Sequence, residues 1–255
     1  MKTDDVRASA FAMPLTSPSC PKGPCSFVIT CRTDPEALRA LVREPLAVGE
    51  PIVRHEFIAM PVSTGFGSCG DSGQVIPVRF QGQEGGWVHA MHLKDDAPIA
   101  GGREIRGFPR KPAEPALRVE QDTLVGTLDL GSVRLATGTM GRKPKALDPA
   151  GAQASLEAPG FLLEIIPHVD CTPRNCELVR YFQQDIRIKG AWSGPAGLEL
   201  HDHALTPVAA LPVPATLSAV HVLADLTRRL GEVVHDYLAA AWTGPRQPIT
   251  RGNAT

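Results

Sequence analysis

Twenty-four glycines and 24 prolines are spread along the 255 residues, so few stretches run far before meeting a turn former. They are dispersed rather than clustered, which separates the chain from low-complexity sequence. Between them lie runs rich in β-branched or aromatic residues at 51–60, 75–81, 87–93, 117–120, 123–130 and 132–140. Strand character resumes at 161–166 and 178–191, and Leu130-Gly131-Ser132 reads as a hairpin. Many short strands with frequent turns predict a mainly β (α+β) fold, one domain built on an antiparallel sheet with a few peripheral helices. A closed, barrel-like sheet is expected, because closure removes exposed edges.

Helices are signalled twice. In Thr33-Asp34-Pro35-Glu36, Asp34 suits the cap and Pro35 the first turn; Leu38, Leu41 and Val42 form one apolar face ahead of Pro45. A second helix is expected over 149–157 with Asp148 as cap. Residues 219–238 fit either a helix or a strand broken at Gly231 and followed by a short helix. Residues 1–13 read as a loose arm, 14–242 as the folded domain and 243–255 as a flexible polar tail.

The charge balance narrows the partners. A net charge of −1, with 21% charged residues, gives no electrostatic reason to expect nucleic acid or an anionic membrane. No apolar run approaches the roughly 18–20 residues that span a bilayer. The start Met1-Lys2-Thr3-Asp4-Asp5 lacks the basic and apolar regions of a secretory signal, so a cytoplasmic protein is expected. The six cysteines, Cys20, Cys25, Cys31, Cys69, Cys171 and Cys176, match neither a disulfide scaffold nor paired zinc ligands, and are expected to be buried or partly buried free thiols.

Three short motifs invite functional readings and give them up. Cys69-Gly70-Asp71-Ser72-Gly73 resembles a serine-protease nucleophile segment, yet no histidine signature precedes it; a Gly-rich turn is the plainer expectation. His201-Asp202-His203 offers metal-type ligands without a third at a recognisable spacing, so no metal is expected. Gly138-Thr139-Met140-Gly141-Arg142-Lys143 has neither phosphate-loop nor dinucleotide spacing and reads as a basic turn.

The informative segment is Gly102-Arg103-Glu104-Ile105-Arg106-Gly107-Phe108-Pro109-Arg110-Lys111-Pro112. Around it stand, in order, Pro14-Leu15-Thr16-Ser17-Pro18, Cys31-Arg32-Thr33-Asp34, Glu44-Pro45-Leu46 and Ser72-Gly73-Gln74. Then follow Asp122-Thr123-Leu124-Val125-Gly126-Thr127-Leu128-Asp129, Ala136-Thr137-Gly138-Thr139-Met140-Gly141 and Lys145-Ala146-Leu147-Asp148. Ile165-Ile166-Pro167, Ala191-Trp192-Ser193-Gly194-Pro195 and Asp236-Tyr237-Leu238 complete the series. Over residues 13 to about 240 the sequence resembles the acetoacetate decarboxylase family.

That resemblance implies a carbon–carbon lyase acting on a small keto acid or related carbonyl compound, with no cofactor and often as a large homo-oligomer. A lysine amine condenses with the ketone, and the iminium accepts the electrons released as carbon dioxide leaves. A free lysine has a pKa near 10.4, so its amine must be activated by desolvation and a neighbouring cation; acetoacetate decarboxylase is the known instance of this activation. In the family a Lys-Lys doublet follows the Tyr/Phe-Pro pair, and its first member is the nucleophile.

At the matching positions this chain has Arg110 and Lys111. A guanidinium stays protonated and cannot form the iminium. The family's two carboxylates carry over as Glu56 and Asp71, the latter shorter than the family's glutamate, and an arginine near the amino terminus has no counterpart in Gly23-Pro24-Cys25-Ser26-Phe27. Three readings follow: Lys111 serves as the Schiff-base amine with Arg110 as the pKa-lowering neighbour; Arg110 holds an enolate or carboxylate while Glu56 and Asp71 shuttle protons, as would suit decarboxylation, aldol/dehydration or cyclisation of a polyketide-like substrate of secondary metabolism; or the chain is a non-catalytic ligand-binding paralogue. Adjacent side chains of an extended strand face opposite ways, and Pro112 biases Lys111 towards extended backbone, so Lys111 is expected to point away from the pocket unless a bulge redirects it.

Overall fold

The computed structural model describes residues 25–141 and 145–239; the expected arm at 1–13 and tail at 243–255 lie outside them. The chain runs β1 (Cys25–Arg32), α1 (Pro35–Leu41), β2 (Ala47–Val48), β3 (Ile52–Ser63), β4 (Gly67–Phe80) and β5 (Gln83–Leu93). It continues through α2 (Asp96–Arg106), β6 (Arg110–Pro112), β7 (Glu114–Glu120), β8 (Thr123–Leu130), β9 (Val133–Gly141), β10 (Lys145–Ala146) and α3 (Pro149–Glu157). The remainder is β11 (Gly160–Pro167), β12 (Pro173–Tyr181), β13 (Gln183–Ser193), β14 (Ala196–Leu200), β15 (Ala215–Arg228) and β16 (Glu232–Asp236).

The mainly β architecture with a few helices is as expected. The local signals hold for α1 and α3, where the Asp34 carboxylate accepts from the Ala37 amide at 2.7 Å and that of Asp148 from Ala150 at 3.1 Å. Gly131 opens the β8–β9 hairpin at φ +59°, a left-handed conformation that suits glycine.

Closure is not as expected. One 12-stranded sheet runs β10-β13-β15-β1-β3-β4-β5-β11-β12-β16, with β2 and β6 pairing off this path, and its ends do not meet. The sheet is also mixed, since β5 pairs in parallel with both β6 and β11. The edges are blunted by length instead: β10 has two residues and β16 five, two of them acidic. A second, antiparallel sheet has the order β14-β9-β8-β7.

Three other expectations are corrected. Cys69-Gly70-Asp71-Ser72-Gly73 is not a turn but the early part of β4, its backbone paired with β3 and β5 on either side. Gly138–Gly141 likewise continue β9, while Arg142 and Lys143 lie outside the described residues. Over 219–238 the strand reading holds, but the second piece is strand β16 rather than a helix, because it pairs with β12.

The two sheets pack through one apolar layer. Phe27, Ile29, Val53 and Phe57 of the large sheet meet Leu124, Leu128, Leu135 and Met140 of the small one, all essentially buried. Burying each such side chain is worth roughly 1.5–3 kcal/mol. Gly126 and Gly138 are direct cross-strand partners, and a Cβ on either would stand 2.4 Å or 2.7 Å from the Phe57 ring. This glycine pair therefore forms the seat of Phe57 and fixes how closely the sheets approach. The opposite face of the large sheet carries a second cluster, in which Met91, Leu93, Phe108, Leu162 and Tyr181 pack with Ile99 of α2.

Candidate active site

Register alone assembles a row of side chains on that second face. Glu56 of β3 pairs with Gly73 of β4, Gly73 with Met91 of β5, and Met91 with Arg110 of β6. Residues two apart on a strand share a face, so Asp71 stands beside Gly73 in the same row. Gly73 contributes no side chain, which leaves room between Glu56 and Met91. Phe57, adjacent to Glu56, is locked between the sheets, so packing of the core holds β3 in place beneath the row.

Arg110 enters this row and Lys111 does not. The Arg110 side chain is 6% exposed, and its Nη2 lies 3.8 Å from Oδ2 of Asp71, whose side chain is 1% exposed. Its Nη1 donates to the Pro98 carbonyl in the first turn of α2, and its guanidinium carbon sits 5.0 Å from the centre of the Phe108 ring. Helix α2 makes room for it: a Cβ on Gly102 would stand 2.4 Å from the same Nη1. Lys111 is exposed and lies opposite His92 of β5, facing the other side of the sheet. Its charge, after burial itself, helps to lower the pKa of His92, held at about 4, and of His89.

The electrostatics of the row are those of charges withdrawn from water. Burial raises the Asp71 pKa, with Arg110 and then Arg228 opposing, and neither Asp71 carboxylate oxygen accepts a hydrogen bond from a described residue. Burial lowers that of Arg110, with Asp71 the main opposing influence. Attraction across 3.8 Å without a hydrogen bond does not fully offset the desolvation of either partner. Glu56 is half-buried by area, yet burial of its carboxyl is the main reason its pKa is raised, with Arg54 and Arg228 opposing and Asp71 adding to it. The site thus holds two carboxyl groups biased towards the neutral form beside a guanidinium fixed in place, a set able to stabilise a developing oxyanion and move protons.

Four further side chains belong to the site that sequence reasoning did not single out. Arg228, at the end of β15, places its guanidinium carbon 5.0 Å from the Phe108 ring centre and 5.6 Å from that of Tyr181. Arg106, the last residue of α2, is 7% exposed, and its pKa is lowered to about 10 by burial, then by Arg228 and Arg110. The Phe108 and Tyr181 rings pack at a tilt of 54°, their centres 5.2 Å apart. An arginine closing an apolar strand reads in sequence as a solvated end, and nothing local ties position 228 to position 110.

Other candidates fall elsewhere. His201 and His203 follow β14; the His203 Nδ1 accepts from the Leu205 amide, and His201 lies 4.0 Å from Glu199. No cluster of three or more His, Cys, Asp or Glu able to hold a metal ion occurs among the described residues. An open groove of about 670 Å³ beside α1, lined in part by Trp87, His89 and Tyr237, contains neither Glu56, Asp71 nor Arg110. Cys31 and Cys69 are buried, Cys176 is half-buried, and Cys171 is exposed, contrary to expectation for the last.

Comparison with known proteins gives this geometry a family. Residues 12–238 match the family described as acetoacetate decarboxylase (ADC). The chain belongs to the acetoacetate decarboxylase family. It is 62% identical to the acetoacetate decarboxylase of Bordetella avium over 245 residues, covering 94% of this chain and all of that one. Acetoacetate decarboxylase 1 of Mesorhizobium japonicum is 61% identical over 247 residues, with 94% and 100% covered. The crystal structure of acetoacetate decarboxylase from Legionella pneumophila superposes with a TM-score of 0.86 at 47% identity, covering 89% of each chain. As an acetoacetate decarboxylase family member the chain is an enzyme, a decarboxylase-like carbon–carbon lyase. No helix among its described residues is long and apolar enough to cross a membrane.

Proposed function

We propose that this family member decarboxylates a small β-keto acid without forming an imine, using the Arg110 guanidinium where the family resemblance expects a lysine amine. The observation that carries the reading is the opposed placement of Arg110, buried against Asp71, and Lys111, exposed on the other face of β6. For Lys111 to act as a Schiff-base amine, β6 would have to turn over and lose its pairing with Met91 and His92.

In this reading the substrate's ketone oxygen lies against Arg110. The bond between the α-carbon and the carboxyl carbon breaks, carbon dioxide leaves, and the electron pair moves into the ketone to give an enolate. The guanidinium holds that oxyanion with charge-assisted hydrogen bonds. The carboxyl of Asp71 or Glu56, whose pKa burial raises, delivers a proton to the α-carbon from its neutral form and is reprotonated from water. No cofactor enters this sequence. The names of the relatives suggest acetoacetate as the first substrate to try.

Carbon dioxide release from acetoacetate tests the reading. Arg110→Ala is expected to lower kcat about 10²–10³-fold, as loss of an oxyanion donor does, whereas Lys111→Ala retains most activity. Loss on Lys111→Ala with retention on Arg110→Ala would reverse the assignment.

A further inference from the structure

The cations of the site outnumber what its carboxylates can balance. Arg110 has Asp71 within 3.8 Å, a single carboxyl whose pKa burial raises. Glu56 has Arg54, two residues away on the same strand face, as its foremost electrostatic partner. Arg106 and Arg228 remain, and neither forms an ion pair within 4.0 Å among the described residues. Both are drawn out of water: Arg106 is 7% exposed, Arg228 is half-buried, and the Nε of each is enclosed without a hydrogen-bond partner among the described residues. Uncompensated charge under cover is costly, and a site that gathers it is complementary to an anion.

The geometry places the Arg228 charge beside the reacting row, on the ring that also carries Arg110. Phe108 lies 5.0 Å from the guanidinium carbons of Arg110 and Arg228 alike, so one ring braces both. Tyr181 supports Arg228 from a second side at 5.6 Å. Its position follows from the chain path: β12 ends at Tyr181, β13 begins at Gln183, and Gln183 pairs with Arg228, which brings the end of β15 to that corner. A braced, planar guanidinium has already lost freedom that binding would otherwise cost, and its fork matches a carboxylate.

We propose that Arg228, seconded by Arg106, binds a carboxylate that the reaction does not remove, so that the site selects β-keto acids carrying a second carboxylate over monoanionic ones. The inference rests on the reading of this same site as a decarboxylase, and it adds the substrate class. A cation on the departing carboxylate would stabilise the ground state and oppose its loss. Arg228 and Arg106 therefore suit the retained carboxylate, and Arg110 the developing enolate.

The test compares 3-oxoglutarate with acetoacetate. Wild-type protein is expected to show at least a tenfold higher kcat/KM for carbon dioxide release from the dicarboxylate. Arg228→Leu lowers that ratio at least tenfold, mainly through KM, and Arg228→Lys restores part of it. A wild-type preference for acetoacetate, or equal losses for both substrates on Arg228→Leu, would overturn the proposal. Glutarate and butyrate, which cannot decarboxylate, separate this from the chemistry. Glutarate raises the Tm of wild-type protein more than butyrate does, and the difference is lost in Arg228→Leu. If that pattern holds while neither keto acid is turned over, the decarboxylase reading fails and the second-carboxylate site stands; if glutarate has no advantage, the site falls.

Discussion

Arg110 and Lys111 are neighbours in sequence with opposite surroundings, and strand alternation is the reason. Arg110 is wrapped by Asp71, Phe108 and the first turn of α2, whereas Lys111 faces the side of His92. If the ketone binds in the Arg110 row, Arg110→Lys puts a desolvated amine where an imine can form. Borohydride added with acetoacetate should then leave a covalent adduct at position 110 of that variant, detected by peptide mass spectrometry; its absence would mean the ketone binds elsewhere. The two-faced arrangement was legible from period-two alternation and from Pro112. Arg106, Arg228 and Tyr181 were not, because 106, 181 and 228 meet only through long-range folding that no local spacing encodes.

Among the elements, the β8–β9 hairpin and its glycine pair control how the sheets dock. A Cβ at Gly126 or Gly138 has the Phe57 ring within 2.4 Å or 2.7 Å, and one strand residue away stands Glu56. Gly126→Val should therefore destabilise the protein by about 1–3 kcal/mol, the usual cost of overpacking, and lower activity by shifting β3. Urea unfolding together with carbon dioxide release checks both; unchanged stability would show that the sheets part without strain. Helix α1 and helix α3 announced themselves through Asp-Pro starts. Helix α2 did not, since Gly101-Gly102 and a broken apolar stripe conceal it, although Asp95 before it and Gly107 after it were usable end signals. Those glycines are where α2 closes on the Phe66 ring and on Arg110. Sheet closure was over-read: short edge strands answer the same physical problem without it.

At the scale of the molecule, two buried histidines draw on stability as the pH falls. His55 and His92 are 4% and 3% exposed, with pKa values lowered from 6.5 to about 3 and about 4 by burial. Below pH 6.5 the unfolded chain takes up protons that the folded chain cannot, so their contribution is complete above that pH and is lost as the pH falls towards 4 and then 3. One and a half pH units below 6.5 the loss is about 2 kcal/mol for each histidine. Asp71 and Glu56 act in the opposite sense: with raised pKa values they favour folding in acid, and that contribution is lost as the pH rises from the ordinary carboxyl range through their folded values. The difference in unfolding free energy between pH 7 and pH 5 should shrink by about 2 kcal/mol in His55→Gln relative to wild type. An unchanged difference would place the titration elsewhere.

The family relationship covers residues 12–238, yet the chemistry turns on whether a covalent intermediate forms at all. Borohydride reduction of the wild-type protein during turnover of acetoacetate or 3-oxoglutarate decides this most directly. Carbon dioxide release is expected to continue, with no loss of activity to trapping and no mass increase on any lysine-containing peptide. A substrate-derived adduct on Lys111, with activity lost in proportion, would show that the reaction runs through an imine.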